Sequence, residues 1–330
     1  MGSANFGFAH SPGDSLAAIL HDPDSLAPDR FNTFPFMKAS NGIERRHDRN
    51  VEEGWAWGGI ADNRQYGSEQ ILSTTLFRIY RHIGGDSDDL EERKSAARYM
   101  AYIIIKAVSG LTQITRNPDV FVSALIDADA TTREHAGRTG GTLAKLFRWS
   151  FELQGLYQPP NTVFPVNKAG FPPAVDIYVD NGNNGIYQIT PGDYSNQHGL
   201  WNRRAADAGS THETPVIDEE NFLYVKVGNR GTNNSQQVEV RAYTAGAAAA
   251  NLEWPNSWIA IGTATAPTIA AGQKGLVGPI KWIPNAAGER ILVSLSTPGD
   301  RSSAEKFGPG RSTKNKYLVL ADNNLAERTM

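Results

Sequence analysis

The chain has 330 residues, 40% of them hydrophobic and seven of them Trp, so it can bury sizeable cores, and about twice the length of a typical domain makes two domains the expectation. A net charge of −3 from intermingled acidic and basic residues, without a basic block or stripe, excludes nucleic acid as a partner. Zero Cys excludes disulfides and thiolate metal sites, and no apolar run reaches the roughly 20 residues of a membrane span, since the longest, Tyr99 to Val108, contains Lys106.

The first element is an amphipathic helix, Asn5 to Leu20, with His10 and Asp14 four residues apart on one face near its head. The stretch before it has no cationic segment followed by an apolar core, so it is not a signal peptide. Either the protein stays inside the cell or the chain is a piece of a longer secreted precursor. From Asp22 to Arg64 there is no periodicity, and Pro23, Pro28 and Pro35 mark a structured loop of the kind that wraps a site. Within it, His47 lies among Glu44, Arg45, Arg46, Asp48 and Arg49. This cluster reads either as a site-facing imidazole with cations for a substrate carboxylate or as solvated ion pairs. Glu52 and Glu53 precede Trp55 and Trp57; the intervening small residues favour two indoles tucked under a tight loop over a carboxylate base beside a sugar-stacking surface.

A turn at Asp62 to Tyr66 leads into a second helix, with a stripe of Ile71, Leu72, Leu76, Ile79 and Ile83, Ser68 as N-cap and Gly84-Gly85 as C-cap. A third carries Ala96, Met100, Ile103, Ile104, Ala107, Val108 and Leu111 at helical spacing, and further helices are predicted over Asp119 to Ala128 and Thr142 to Leu156.

At Gln158-Pro159-Pro160 the pattern changes to short runs: Val175 to Val179, Phe222 to Val227, Gln237 to Tyr243, Ser257 to Ile261, Leu276 to Ile283, Arg290 to Ser296 and Tyr317 to Leu320. About seven short strands separated by Asn/Gly-rich turns describe an immunoglobulin-like antiparallel β-sandwich. Asp176, Asp180, Asn181, Asn183 and Asn184 offer oxygens for Ca²⁺, although turns have the same composition for backbone reasons. Trp201, Trp254, Trp258 and Trp282 are expected in the sandwich core and rim.

Residues 5 to about 115 resemble the C-terminal subdomain of gluzincin zinc metallopeptidases, the thermolysin and fungalysin class. The stretch His10-Ser11-Pro12-Gly13-Asp14 is similar to the E-x-x-x-D pattern of that class, with His in place of Glu. The resemblance implies that His10 is an ancestral zinc ligand and that Asp14 steers a zinc-bound His; polar surface for His10 and a helix-dipole partner for Asp14 are the alternatives. Asp62-Asn63-Arg64-Gln65-Tyr66 is similar to the D-N-G-G-V-H turn, which implies oxyanion support by Tyr66, or else a Tyr packed at a helix start.

No H-E-x-x-H occurs, and His212-Glu213, the only His-Glu dipeptide, lacks a second His. Residues 174 to 325 look like the cell-adhesion-type immunoglobulin-like modules that follow bacterial peptidase domains. The expected organisation is therefore α+β: a helical metallopeptidase-like subdomain over 1–160, a linker over 161–173 and the sandwich over 174–325.

On these residues the chain reads as a partial or degenerate zinc metallopeptidase relative. In complete relatives zinc would activate water; here, with the general base and two ligands missing, no zinc is expected to be tightly bound and no cleavage is expected from the chain alone. One rival is a non-enzymatic binding or structural protein that takes a peptide or protein ligand on the sandwich. The other is a subunit whose site is completed by an upstream peptidase segment or another chain.

Overall fold

The computed structural model describes residues 4–32, 44–63, 67–111, 118–159, 167–187, 194–247 and 251–330, the side chains of residues 4–10 and 63 excepted. Two compact units, Met1–Phe171 and Pro172–Met330, make up the chain. The class is α+β, with helices in the first unit and an immunoglobulin-like antiparallel sandwich in the second.

The first unit contains α1 (Ala4–His21), α2 (Glu69–Tyr80), α3 (Leu90–Ser109), α4 (Pro118–Ala130) and α5 (Ala144–Leu153), with a small ribbon of β1 (Glu134–His135) and β2 (Arg138–Thr139). Helix α2 is buried on almost every side, because α1, α5 and the segment 44–57 surround it. Its stripe of Ile71, Leu72, Leu76 and Ile79 is fully enclosed, as the spacing predicts. Ser68 makes no side-chain cap at its start. At the other end α2 continues into a wider turn over Arg81–Gly85, where Gly84 has φ 129°, a backbone state that favours glycine. Helix α3 begins at a true cap, with the Glu91 N–H donating to Asp89 Oδ1 at 2.9 Å.

Trp55 and Trp57 are buried, and Gln154 donates to the Trp55 carbonyl, whereas Glu52 and Glu53 stand exposed. The two indoles therefore serve packing. A second buried network joins Asp22, which accepts from Tyr80 Oη at 2.8 Å and from Arg30 Nε at 2.7 Å, to Asp86 through Arg30 Nη1 at 2.8 Å. It ties the start of the 22–64 segment to the end of α2.

The second unit contains β3 (Ile177–Val179), β4 (Leu200–Arg203), β5 (Asn221–Asn229), β6 (Val238–Ala245), β7 (Glu253–Trp254), β8 (Ile259–Ala266), β9 (Lys274–Trp282), β10 (Arg290–Ser296), β11 (Thr313–Lys314), α6 (Asn315–Ala321) and β12 (Leu325–Thr329). One antiparallel sheet has the order β12-β10-β6-β8. In the other, β5 pairs with β9 on one side and with β3 and β4 on the other. Between the sheets lie Ile177, Leu200, Leu223, Val225, Val240, Val293 and Trp282 among others.

The first sheet is also covered on its outer face. There Leu292 packs with Trp254, Trp258, Phe307, Leu318 and Val319. A strand buried on both faces loses the apolar and polar alternation, and β10 accordingly reads Ile-Leu-Val-Ser-Leu. The same cover explains the one element of the wrong type: Tyr317 to Leu320, predicted as a strand, lies in helix α6. A run of four apolar residues cannot be told from a short buried helix by periodicity. Strands β4 and β12 were not expected from the pattern.

Candidate functional site

Helix α1 begins at Ala4, so His10 and Asp14 both stand in its interior, one turn apart, and Asp14 is not a partner of the helix N-terminus. The His10 side chain and all of Tyr66 lie outside the described residues. Ser11, on the turn between His10 and Asp14, donates to the carbonyl of Glu69 at 2.8 Å and so fastens α1 to the start of α2.

That contact brings two carboxylates together. Asp14 and Glu69 share the guanidinium of Arg45, whose Nη2 lies 2.5 Å from Asp14 Oδ2 and also donates to Glu69 Oε2. The Glu69 side chain is 1% exposed, and burial pushes its pKa well above the usual carboxylate range; Arg45 opposes this shift and Asp14, a like charge in hydrogen-bond contact, adds to it. Glu69 therefore holds a proton more readily than an ordinary carboxylate does.

Arg45 opens a segment that is stitched along one face of α2. The Arg46 N–H and Arg49 Nε donate to Gln70 Oε1 at 2.8 and 2.6 Å, and the Arg49 N–H donates to Thr74 Oγ1 at 3.1 Å. His47 sits between these contacts, its ring 5.4 Å from that of Phe77, a further turn along the same face. The imidazole is 2% exposed, neither ring nitrogen has a hydrogen-bond partner among the described residues, and burial lowers its pKa to about 4. It is a neutral, apolar-like plug at neutral pH. Arg49 lies over the Trp55 ring at 4.4 Å. The sequence shows a run of charges here, but only the fold reveals that Arg45 is directed at the chain's own carboxylates; the sole prior signal for Glu69 is its place in the first turn of a helix.

Zinc does not fit the described residues around Asp14. A guanidinium already meets the Asp14 charge, and among the described residues no group of three or more His, Asp or Glu could hold a metal ion. Asp62 is buried and accepts from the Gly58 N–H at 3.1 Å, an arrangement that shapes the loop beside Trp57.

In the second unit, of the oxygens considered for Ca²⁺, those of Asp176 and Asp180 are met by cations of the chain itself, Asn184 Oδ1 accepts from Lys274 Nζ and Asn181 Oδ1 accepts from the Gly199 N–H. Asp176 Oδ2 takes Arg230, while Oδ1 accepts from Asn323 Nδ2 at 2.9 Å. Asp180 Oδ2 lies 2.9 Å from both Lys226 and Lys274, and these contacts hold its pKa below the usual range against the opposing effect of burial. His212 accepts from the Asn202 N–H at 3.2 Å beside β4, a structural position.

No family model matches the chain, and no curated protein matches it. Among solved structures, similarity is found to the CARDB domain of a Pyrococcus furiosus protein in complex with di-metal ions, at 17% identity over 34% of this chain and 72% of that one, TM-score 0.20. A crustacean hemolymph-type prophenoloxidase is similar at 13% identity over 99% of this chain and 64% of that one, TM-score 0.26. A Pseudomonas fluorescens alkylpurine DNA glycosylase bound to abasic DNA is similar at 11% identity over 82% of this chain and 70% of that one, TM-score 0.19. Overlaps this slight carry no argument about activity.

Proposed function

We propose that the chain is a non-enzymatic binding or structural protein, built on a helical scaffold of metallopeptidase type, whose working surface is the β-sandwich and whose ligand is a peptide or protein. The observation that carries this reading is the bridge from Arg45 to Asp14 and Glu69. In a zinc site the aspartate at this position would orient a ligating imidazole. Here its carboxylate is engaged by a fixed cation, which would also repel a divalent ion approaching within a few ångströms.

The test is a zinc titration of the 330-residue chain by calorimetry, with a peptide-library cleavage assay in zinc-supplemented buffer. No stoichiometric binding and no zinc-dependent cleavage are expected. Tight one-to-one binding with cleavage would overturn the reading.

A second reading, in which an upstream segment or another chain completes a peptidase site, is favoured by the raised pKa of Glu69, because carboxyl groups with perturbed protonation cluster at functional sites. Zinc-dependent cleavage that appears only after adding an H-E-x-x-H segment would support it over the first.

A further inference from the structure

The turn that follows β3, Asp180-Asn181-Gly182-Asn183-Asn184-Gly185, holds two Asn-Gly pairs; a third, Asn41-Gly42, lies outside the described residues. In such a pair the backbone nitrogen of the Gly can close a five-membered ring onto the Asn carboxamide carbon, and the Gly has no Cβ to hinder the approach. By composition the two pairs of this turn are alike. The fold makes them different.

Asn181 is held at both ends of its amide. Its Nδ2 donates to Gln197 Oε1 and its Oδ1 accepts from the Gly199 N–H at 2.8 Å, so turning the amide carbon toward Gly182 breaks both bonds. The Gly182 N–H donates to Asp180 Oδ1 at 3.3 Å. Lys226 and Lys274 hold that carboxylate ionised, and a negative charge beside the N–H opposes loss of its proton. Asn184, by contrast, is exposed, and among the described residues its amide makes one contact, Oδ1 accepting from Lys274 Nζ at 2.8 Å. A long, partly exposed ammonium side chain gives way at little cost. While it is in place it supports negative charge on the amide oxygen. The Gly185 N–H donates to nothing among the described residues.

We propose that Asn184 is a site of spontaneous covalent modification, deamidation through attack by the Gly185 nitrogen, and that the fold protects Asn181 in the same turn. Hydroxide takes the proton of the Gly185 N–H, and the nitrogen forms a bond to Asn184 Cγ. The bond from Cγ to Nδ2 then breaks, and the departing nitrogen takes a proton from water and leaves as ammonia. A cyclic imide remains. Water adds to either carbonyl of the ring and opens it, giving Asp at 184 or, where the chain now runs through the side chain, isoaspartate. The sum is one water taken up and one ammonia released, with no oxidant or reductant. In the Asp product a carboxylate stands where the amide oxygen meets Lys274, which also pairs with Asp180, so the sandwich gains one negative charge and Lys274 a second anionic partner. The reaction does not depend on what the sandwich binds.

The test holds the full 330-residue chain at mildly alkaline pH over weeks, one sample folded, as circular dichroism verifies, and one unfolded in urea. Tandem mass spectrometry of the digested chain then locates each replacement of an amide NH2 by OH in the peptide that contains both pairs. In the folded protein Asn184 should convert at least about tenfold faster than Asn181, a difference of about 1.4 kcal/mol in barrier, whereas in urea the two should convert at similar rates. Part of the product at 184 should elute as a second peptide of equal mass, the isoaspartyl form. A smaller ratio in the folded protein, the same ratio in urea, or a folded chain in which neither pair converts while the unfolded chain converts both, would overturn the proposal.

Discussion

Replacing His47 with Phe should abolish a large part of the acid sensitivity of the helical unit. The imidazole is 2% exposed against Phe77, with its pKa lowered to about 4 by burial, from 6.5 in an unfolded chain. A base whose folded pKa is depressed contributes stability that is fully present above the unfolded value and is lost as pH falls, because the unfolded state takes up the proton first. The window is therefore pH 6.5 down to about 4. Between pH 7 and pH 4.5 the linkage integral for these two values amounts to about 2.5 kcal/mol of lost stability from this residue alone.

In the His47→Phe variant this contribution disappears, and the ring contact with Phe77 remains. Urea unfolding monitored at 222 nm, where the helical unit dominates, gives the stability of both proteins at pH 7, 6, 5 and 4.5. The variant should match or exceed the wild type at pH 7, since two unpartnered buried nitrogens are removed. Its advantage should then grow by about 2.5 kcal/mol at pH 4.5. If the difference between the two proteins does not change with pH, the imidazole is not buried in its neutral form and the account of the 44–50 segment fails.

Other substitutions probe the remaining arguments. Arg45→Met leaves Asp14 and the buried Glu69 without their cation and should cost the helical unit about 3 kcal/mol at pH 7, with partial recovery on adding Glu69→Gln; denaturant titration measures both. Gly228→Ala places a Cβ 2.3 Å from Cζ of Tyr178, a ring that is 4% exposed and has no room to turn aside, so the sandwich should lose about 2 kcal/mol or more in its thermal transition. Asp322→Ala strands the Ser303 N–H and hydroxyl and the Asn324 N–H, which donate to the fully buried carboxylate at 2.6, 2.7 and 2.9 Å; a loss of about 3 kcal/mol is expected from calorimetry. Leu292→Ala opens a cavity under Trp254 and Trp258 and should destabilise the sandwich by about 3 kcal/mol while quenching or shifting Trp emission.

The local pattern was enough for α2, for the α3 stripe as far as Ala107, for the change from helices to strands and for strands β5, β6, β9 and β10, whereas Val108 of the expected α3 stripe is exposed and Leu111 lies past the end of the helix. In α3 and β6 burial repeats at the period of the element, while α2 and β10, buried on nearly every side, show as apolar runs; both signals are local properties of the chain. The type of Tyr317 to Leu320 and the existence of β4 and β12 were not legible in this way. Val319 and Leu325 pack against the outer cover of a sheet, and Leu200 packs between the two sheets, so their conformations answer to long-range contacts rather than to a local period.

The site divides in the same manner. That His10 and Asp14 share a helical face follows from a spacing of four residues. The partner of Asp14 does not follow from any spacing. Arg45 and Glu69 are 24 residues apart and meet only because Ser11 fastens α1 to α2 while Gln70 and Thr74 hold the intervening segment in place. Charge along a chain states which ions are present; the three-dimensional fold sets their distances and their burial, and those two quantities decide whether a carboxylate carries a proton, binds a metal or holds a guanidinium.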